Sequence, residues 1–149
     1  MTKHDVTIPA ETHTMVKFSQ DELPGFATVN SALKYFEPKS VFRWHLSVRV
    51  ECSDLVKNRL PSPKEQDVLY DFEDRVNPLI KANGNALFLA RVTHNAHREL
   101  VWRVYEPEAA NAVLRGMADA KDFPREFDFR MDDDPDWDKA GWYLRSLNS

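Results

Sequence analysis

The sequence predicts an α+β domain in which helices back one face of an antiparallel sheet. Three observations carry that expectation. Residues 42–52 alternate apolar and polar side chains, residues 62–80 carry a capped apolar stripe at helical spacing, and the two periods then follow one another as strand, helix, strand, strand, helix, strand.

The first residues, 1–11, are polar, lack the apolar stretch of a secretory leader, and are expected to fray. Residues 12–149 are read as one domain, since two independent cores would be unusual in so short a chain. A first strand is expected at residues 12–19, a turn on Leu23-Pro24-Gly25, and a second strand at residues 26–33, together a hairpin. Glu37-Pro38-Lys39 breaks the chain before the clearest strand, where Phe42, Trp44, Leu46, Val48, Val50 and Cys52 alternate with Arg43, His45, Ser47, Arg49 and Glu51. A period of two puts the first set on one face and leaves the second facing water.

Ser62 suits a helix N-cap, Pro63 the first helical position, and Glu65 the reciprocal half of a capping box. Val68, Leu69, Phe72, Val76, Leu79 and Ile80 form the buried stripe, Pro78 is expected to kink the last turns, and Asn83-Gly84 to end the helix. Strands at residues 85–93 and 98–105 flank a hairpin tip at residues 94–97. The unbroken apolar run Leu87-Phe88-Leu89 marks the first of them as central. Pro107 opens a helix carrying Ala110, Val113, Leu114 and Met117. Residues 125–131 alternate as a further strand, and Asp134-Pro135 starts a final helix with Trp137, Gly141 and Leu144 on one stripe. The order from residue 42 onward is the split β-α-β pattern of ferredoxin-like folds, with an N-terminal β-hairpin and a C-terminal helix added.

Composition narrows the function classes. Twenty basic against 24 acidic side chains, a net charge of -4, argue against a dedicated non-specific nucleic-acid binder. Cys52 is the only cysteine, so no intrachain disulfide forms, and its place in an apolar alternation suits a buried core thiol. The longest apolar run, residues 86–90, is far short of the ~20 residues of a membrane span, so no membrane contact is expected and a cytoplasmic location is.

Candidate chemistry is sparse. His94 and His97 sit at a hairpin tip without the third and fourth ligands of a zinc site, so no metal is assigned. Asp132, Asp133, Asp134, Asp136 and Asp138 lack the glycine and spacing of a calcium loop and suit helix capping instead. Gly25, Gly84, Gly116 and Gly141 form no phosphate-cradling loop, no nucleophile motif appears, and no cofactor is assigned. Glu73, Asp74, Glu99 and Asp128 would serve acid-base chemistry only if the fold paired them.

One constellation stands out. Opposite the helix-facing set, Arg43, His45 and Arg49 project from their strand, and Arg91 and Arg103 join them from neighbouring strands. Open, such a face binds an acidic protein or peptide surface ahead of nucleic acid, because Tyr105 is the one clear stacking aromatic. Closed, its arginines pair with Glu51, Glu99, Glu126 and Asp128 across strands.

The helix at residues 65–74, Arg91-Val92-Thr93-His94-Asn95, Arg98-Glu99-Leu100 and Asp134-Pro135-Asp136-Trp137 together resemble the bacterial domain-of-unknown-function family number 695, over about residues 44–144. Ala96 departs from the glycine that often follows the asparagine in that family, which weighs against a tight turn there. The resemblance implies the fold and no activity, substrate or catalytic residue. The leading expectation is therefore a non-catalytic binding or regulatory module. The alternatives are a small hydrolase or transferase whose site assembles only in three dimensions, and a structural homodimer paired through edge strands.

Overall fold

The computed structural model describes residues 2–121 and 123–147. Among these, six strands form one antiparallel sheet: β1 (His13–Gln20), β2 (Leu23–Asn30), β3 (Trp44–Glu51), β6 (Ala86–His94), β7 (His97–Val104) and β8 (Phe127–Asp133). A small separate ribbon pairs β4 (Leu55–Val56) with β5 (Leu60–Pro61). The helices are α1 (Pro63–Ile80), α2 (Pro107–Ala120) and α3 (Gly141–Ser146). The spatial order is β1-β2-β6-β7-β3-β8. Each helical crossover therefore skips one strand, β7 after α1 and β3 after α2. The N-terminal hairpin, which sequence alone left unplaced, continues the sheet beyond β6. No helix among the described residues is long and apolar enough to cross a membrane.

The alternation in β3 holds. Leu46, Val48 and Val50 are sealed against α1 and α2, together with Phe72, Val76, Leu100, Trp102 and Leu114. Each such side chain contributes about 1.5–3 kcal/mol of burial. Cys52 joins the same core, and burial pushes its thiol up to about 11. Phe42 does not extend the strand. It lies in a 3-10 turn and packs on the opposite side of the sheet.

Ser62 caps α1, its hydroxyl accepting from the Glu65 amide at 3.1 Å. The expected capping box does not close, because Glu65 is buried and accepts instead from the Ser53 amide and from Arg125. The helix runs through Pro78 to Ile80, Leu79 turns outward, and Asn83 and Gly84 take left-handed conformations just beyond.

The second face of the sheet is not solvated as expected. Leu33, Phe36, Val41 and Phe42 from residues 31–42, and Trp137, Ala140 and Tyr143 near the C-terminus, pack over Ala27, Val29, Leu87, Leu89 and Val101. The final helix begins later than Asp134-Pro135 suggested. Trp137 itself adopts a left-handed backbone (φ 60°), and the Asp134 carboxylate caps the following turn by accepting from the Asp138 and Lys139 amides.

Two turns also differ. The β6–β7 hairpin closes on Asn95 (φ 48°) and Ala96 (φ 65°), although alanine was expected to disfavour it. Its neighbours hold it: the Ala96 amide donates to the Arg59 carbonyl, and its carbonyl accepts from Cys52, both at 2.8 Å. The β1–β2 hairpin turns on Asp21 (φ 54°) and Glu22 (φ 66°), so Leu23-Pro24-Gly25 lies inside β2. The Phe18 ring lies across Gly25, where a Cβ would fall within 2.2 Å of it, and that fit fixes the register.

Left-handed geometry costs an L-residue about 1–2 kcal/mol, and neither Asp21 nor Glu22 is buried. Replacing the pair by Asn-Gly should therefore stabilise the chain by about 1 kcal/mol and raise Tm by about 2–4 °C in thermal unfolding. An unchanged or lower Tm would mean that strand pairing, not turn conformation, limits this hairpin.

Candidate functional site

The arginines expected on one open face are distributed among different environments. Arg43 precedes β3 and pairs in the open with Asp133, through Nε at 2.6 Å and Nη2 at 3.0 Å. Arg49 is exposed on the second face beside His97. Arg91 sits on the helix side, because the ladder slips between Phe88 and Ala90 and reverses the facing of the residues that follow. There it forks onto Glu73 of α1, with Nε and Nη2 each 2.6 Å from a carboxylate oxygen.

Arg103 does lie on the second face, but fully buried, and all five of its N–H groups have partners. They reach the Phe42 carbonyl, His45 Nδ1, the Asp134 carboxylate, the Arg43 carbonyl and the Asp134 carbonyl. The guanidinium also lies 4.7 Å from the Trp137 ring centroid. Arg103 therefore pins the C-terminal segment to the strand edge and presents nothing to a partner. His45 is buried beside it, its Nδ1 accepting from Arg103 at 3.1 Å, which leaves the proton of the neutral ring on Nε2.

The part of the second face that α3 leaves uncovered holds a shallow hollow of ≈170 Å³ lined by Arg49, His94, His97 and Glu99. Its groups serve one another. Glu99 accepts from Ser47 at 2.6 Å and from the Tyr143 hydroxyl at 2.9 Å, and His94 Nε2 donates to the Gln20 carbonyl at 2.8 Å. Burial and the neighbouring Glu99 push the Tyr143 phenol above its usual range.

A different site emerges on the helix side, where a cleft of ≈340 Å³ opens between α1, the β4–β5 ribbon and the outer strands. Its walls are apolar, from Met15, Phe26, Val56, Leu60 and Pro61. Its polar side is built by α1, which presents Gln66 and Tyr70 to the cleft, with Glu73 behind Arg91 on the same stripe at i, i+4 and i+7. Arg91 and Arg98 face that stripe from β6 and β7, each 5.1 Å from the Tyr70 ring centroid.

The two guanidiniums are served unequally. Arg91 has the Glu73 carboxylate. Arg98 is 2% exposed, yet its partners are neutral: Nε donates to the Thr93 hydroxyl at 2.8 Å and Nη2 to the Gln66 amide oxygen. Its Nη1 is buried with no partner among the described residues. Burial lowers the proton affinity of this guanidinium, and the nearby Arg91 adds to the effect, while Tyr70 and Glu73 oppose it without reversing it. An unmatched buried donor costs about 1–3 kcal/mol, more on a charged group. What the cleft can do chemically is hold an anion.

Arg98 carries a signal in the sequence. It is in phase with Leu100, Trp102 and Val104, so a charge stands on the apolar face of its strand. Arg91 carries none, because no residue type announces the slip that turns it.

Burial, and then the adjacent Arg103, push the His45 imidazole from 6.5 down to about 4. The folded chain keeps this ring neutral, so acid protonates the unfolded chain first. Stability should fall as pH drops from about 6.5 to about 4, by about 3 kcal/mol in all. Urea unfolding across that window checks this against His45→Gln, which keeps an acceptor for Arg103 but does not titrate. The variant should lose this component of the slope, and an identical slope would assign it to another group.

No curated protein and no solved structure matches this chain. A family model described as a family of unknown function (DUF695) matches residues 14–144, and the chain belongs to that family.

Proposed function

We propose that the chain is a non-catalytic binding module whose ligand occupies the cleft between α1, the β4–β5 ribbon and the outer strands. The observation that carries this reading is Arg98, a buried guanidinium lining an apolar cleft with neutral partners on two nitrogens and none on the third. The anionic partner expected of the second sheet face is thereby assigned to the helix side, with Arg91 the one residue of that expected set that lines the cleft.

Recognition suits the lining better than catalysis does. Two guanidiniums, a phenol, a carboxamide and threonine hydroxyls supply directed hydrogen bonds, but a guanidinium holds its proton throughout the neutral range and cannot shuttle it. Apolar walls with a few convergent polar groups are the usual build of a small-ligand site. A buried free thiol at Cys52 suits a reducing compartment, and we place the module in the cytoplasm.

Screening a mixed library of neutral and charged fragments by 1H–15N NMR tests this. Shifts should cluster at Gln66, Tyr70, Thr93 and Arg98. Clustering at Arg49 and Glu99, or no hits, would overturn the reading. Arg98→Met should change stability by less than about 1 kcal/mol in urea while abolishing the hits, because an apolar residue of similar length replaces an uncompensated buried charge. A loss of several kcal/mol would make Arg98 a structural residue and remove the reason for the proposal.

A further inference from the structure

We infer that the ligand is a small free monocarboxylate with an unbranched or flat apolar body, an inference that rests on the binding reading above. Charge sets the headgroup. Of the two guanidiniums in the cleft, Arg91 is already matched by both oxygens of Glu73, so one positive charge is left, on Arg98. One buried positive charge calls for one negative charge. A phosphomonoester, with about -1.5 to -2 at neutral pH, would bring excess charge into an apolar cleft.

Geometry points the same way. A guanidinium edge matches the two oxygens of a carboxylate, and Arg91 on Glu73 shows that pairing next door. The Gln66 carboxamide now occupies Nη2 of Arg98 as a planar, neutral stand-in. Gln66 is only partly buried, near the start of α1, so its side chain can swing aside as a carboxylate takes both terminal nitrogens.

The walls set the body. Met15 and Val56 leave 65% and 51% of their surfaces exposed, and with Leu60 and Pro61 they offer apolar surface that a hydrocarbon chain would cover. A volume of ≈340 Å³ holds about ten non-hydrogen atoms at the ~30 Å³ that a water takes in the liquid. Octanoate has that size and charge.

Calorimetric titration of the full chain at neutral pH with octanoate, octanamide and octyl phosphate tests the inference. Octanoate should bind about tenfold or more tightly than either of the others, as a buried charge pair requires, and Arg98→Gln should erase that preference. Gln66→Glu supplies the missing carboxylate from within the chain. It should weaken octanoate by about tenfold more than it weakens octanamide, which decides the matter even where Arg98→Gln fails to fold. Equal binding of octanoate and octanamide, both shifting Tyr70 and Thr93 resonances, would overturn the ligand class while leaving the cleft as a binding site. Octanoate that shifts Arg49 and Glu99 resonances instead would overturn both. Absence of octanoate binding would overturn the ligand class, and a leucine-ended peptide acid that binds more tightly than octanoate would replace a free acid by a chain terminus.

Discussion

Between Phe88 and Ala90 the β6–β7 ladder slips by one residue, and everything on the outer half of β6 changes face. Leu87, Leu89, Ala90 and Val92 all pack on the second face, while Ala86, Phe88 and Arg91 lie on the helix side. A strand in uniform alternation would have sent Arg91 among Leu89 and Val101 and left Glu73 as a buried carboxylate without its fork. The bulge places an arginine where α1 can neutralise it, and it brings the Thr93 hydroxyl to the side where Arg98 stands. The cleft exists in its charged form because of that single extra residue.

β7 carries the complementary lesson, since it holds two buried arginines five residues apart on opposite faces. Arg103 is met by the loop before β3, by His45 of β3 and by the turn after β8, which between them offer carbonyls, an imidazole and a carboxylate until every donor is used. The cost of desolvating that charge is offset by closing the second face, and the segments it ties are the ones that cover Val101 and Leu89. Arg98 is surrounded by α1, β6 and its own strand, which offer a hydroxyl and a carboxamide. Similar burial thus gives a structural clamp in one place and an unfilled valence in the other. The number of partners, not exposure, separates the two.

The legible parts of this chain were those decided within a few residues. The apolar alternation of β3 from Leu46 to Val50, the Ser62-Pro63 start of α1 and the Asn83-Gly84 stop depend on local period and backbone preference, and these fold as read, whereas Phe42 and His45 do not. The slip at Leu89 was hidden because a run apolar on both faces has no phase to lose. The Asp21-Glu22 turn was hidden because the pair lacks the glycine that usually marks such turns, and the fit of Phe18 over Gly25 decides the register from across the ladder. Closure of the second face depends on residues 31–42 meeting the C-terminal segment through Trp137, whose indole donates to the Lys39 and Phe42 carbonyls. No local pattern encodes such a contact. Of the candidate site, Arg91 alone was expected from sequence, and on the wrong face; Arg98 was passed over, although it stands as a charge in step with Leu100 and Trp102.

The spacing along α1 explains why the cleft retains an unmatched charge at all. Gln66 and Glu73 lie two helical turns apart on one stripe with Tyr70 between them, and two sheet arginines stand opposite. The helix therefore addresses both cations with the same geometry but different chemistry: a carboxylate at the inner level, next to the core, and a carboxamide at the outer level, beside the apolar walls. Two carboxylates would have neutralised both arginines and closed the cleft as a structural ion-pair network. Two carboxamides would have left two buried charges, a penalty large against the net stability of a domain this size. With one of each, Arg91 is matched by Glu73 while Arg98, the more deeply buried of the two, keeps a single positive charge against the cleft, and any partner that supplies its counter-charge stabilises the folded chain by an amount that grows with the logarithm of its concentration over Kd.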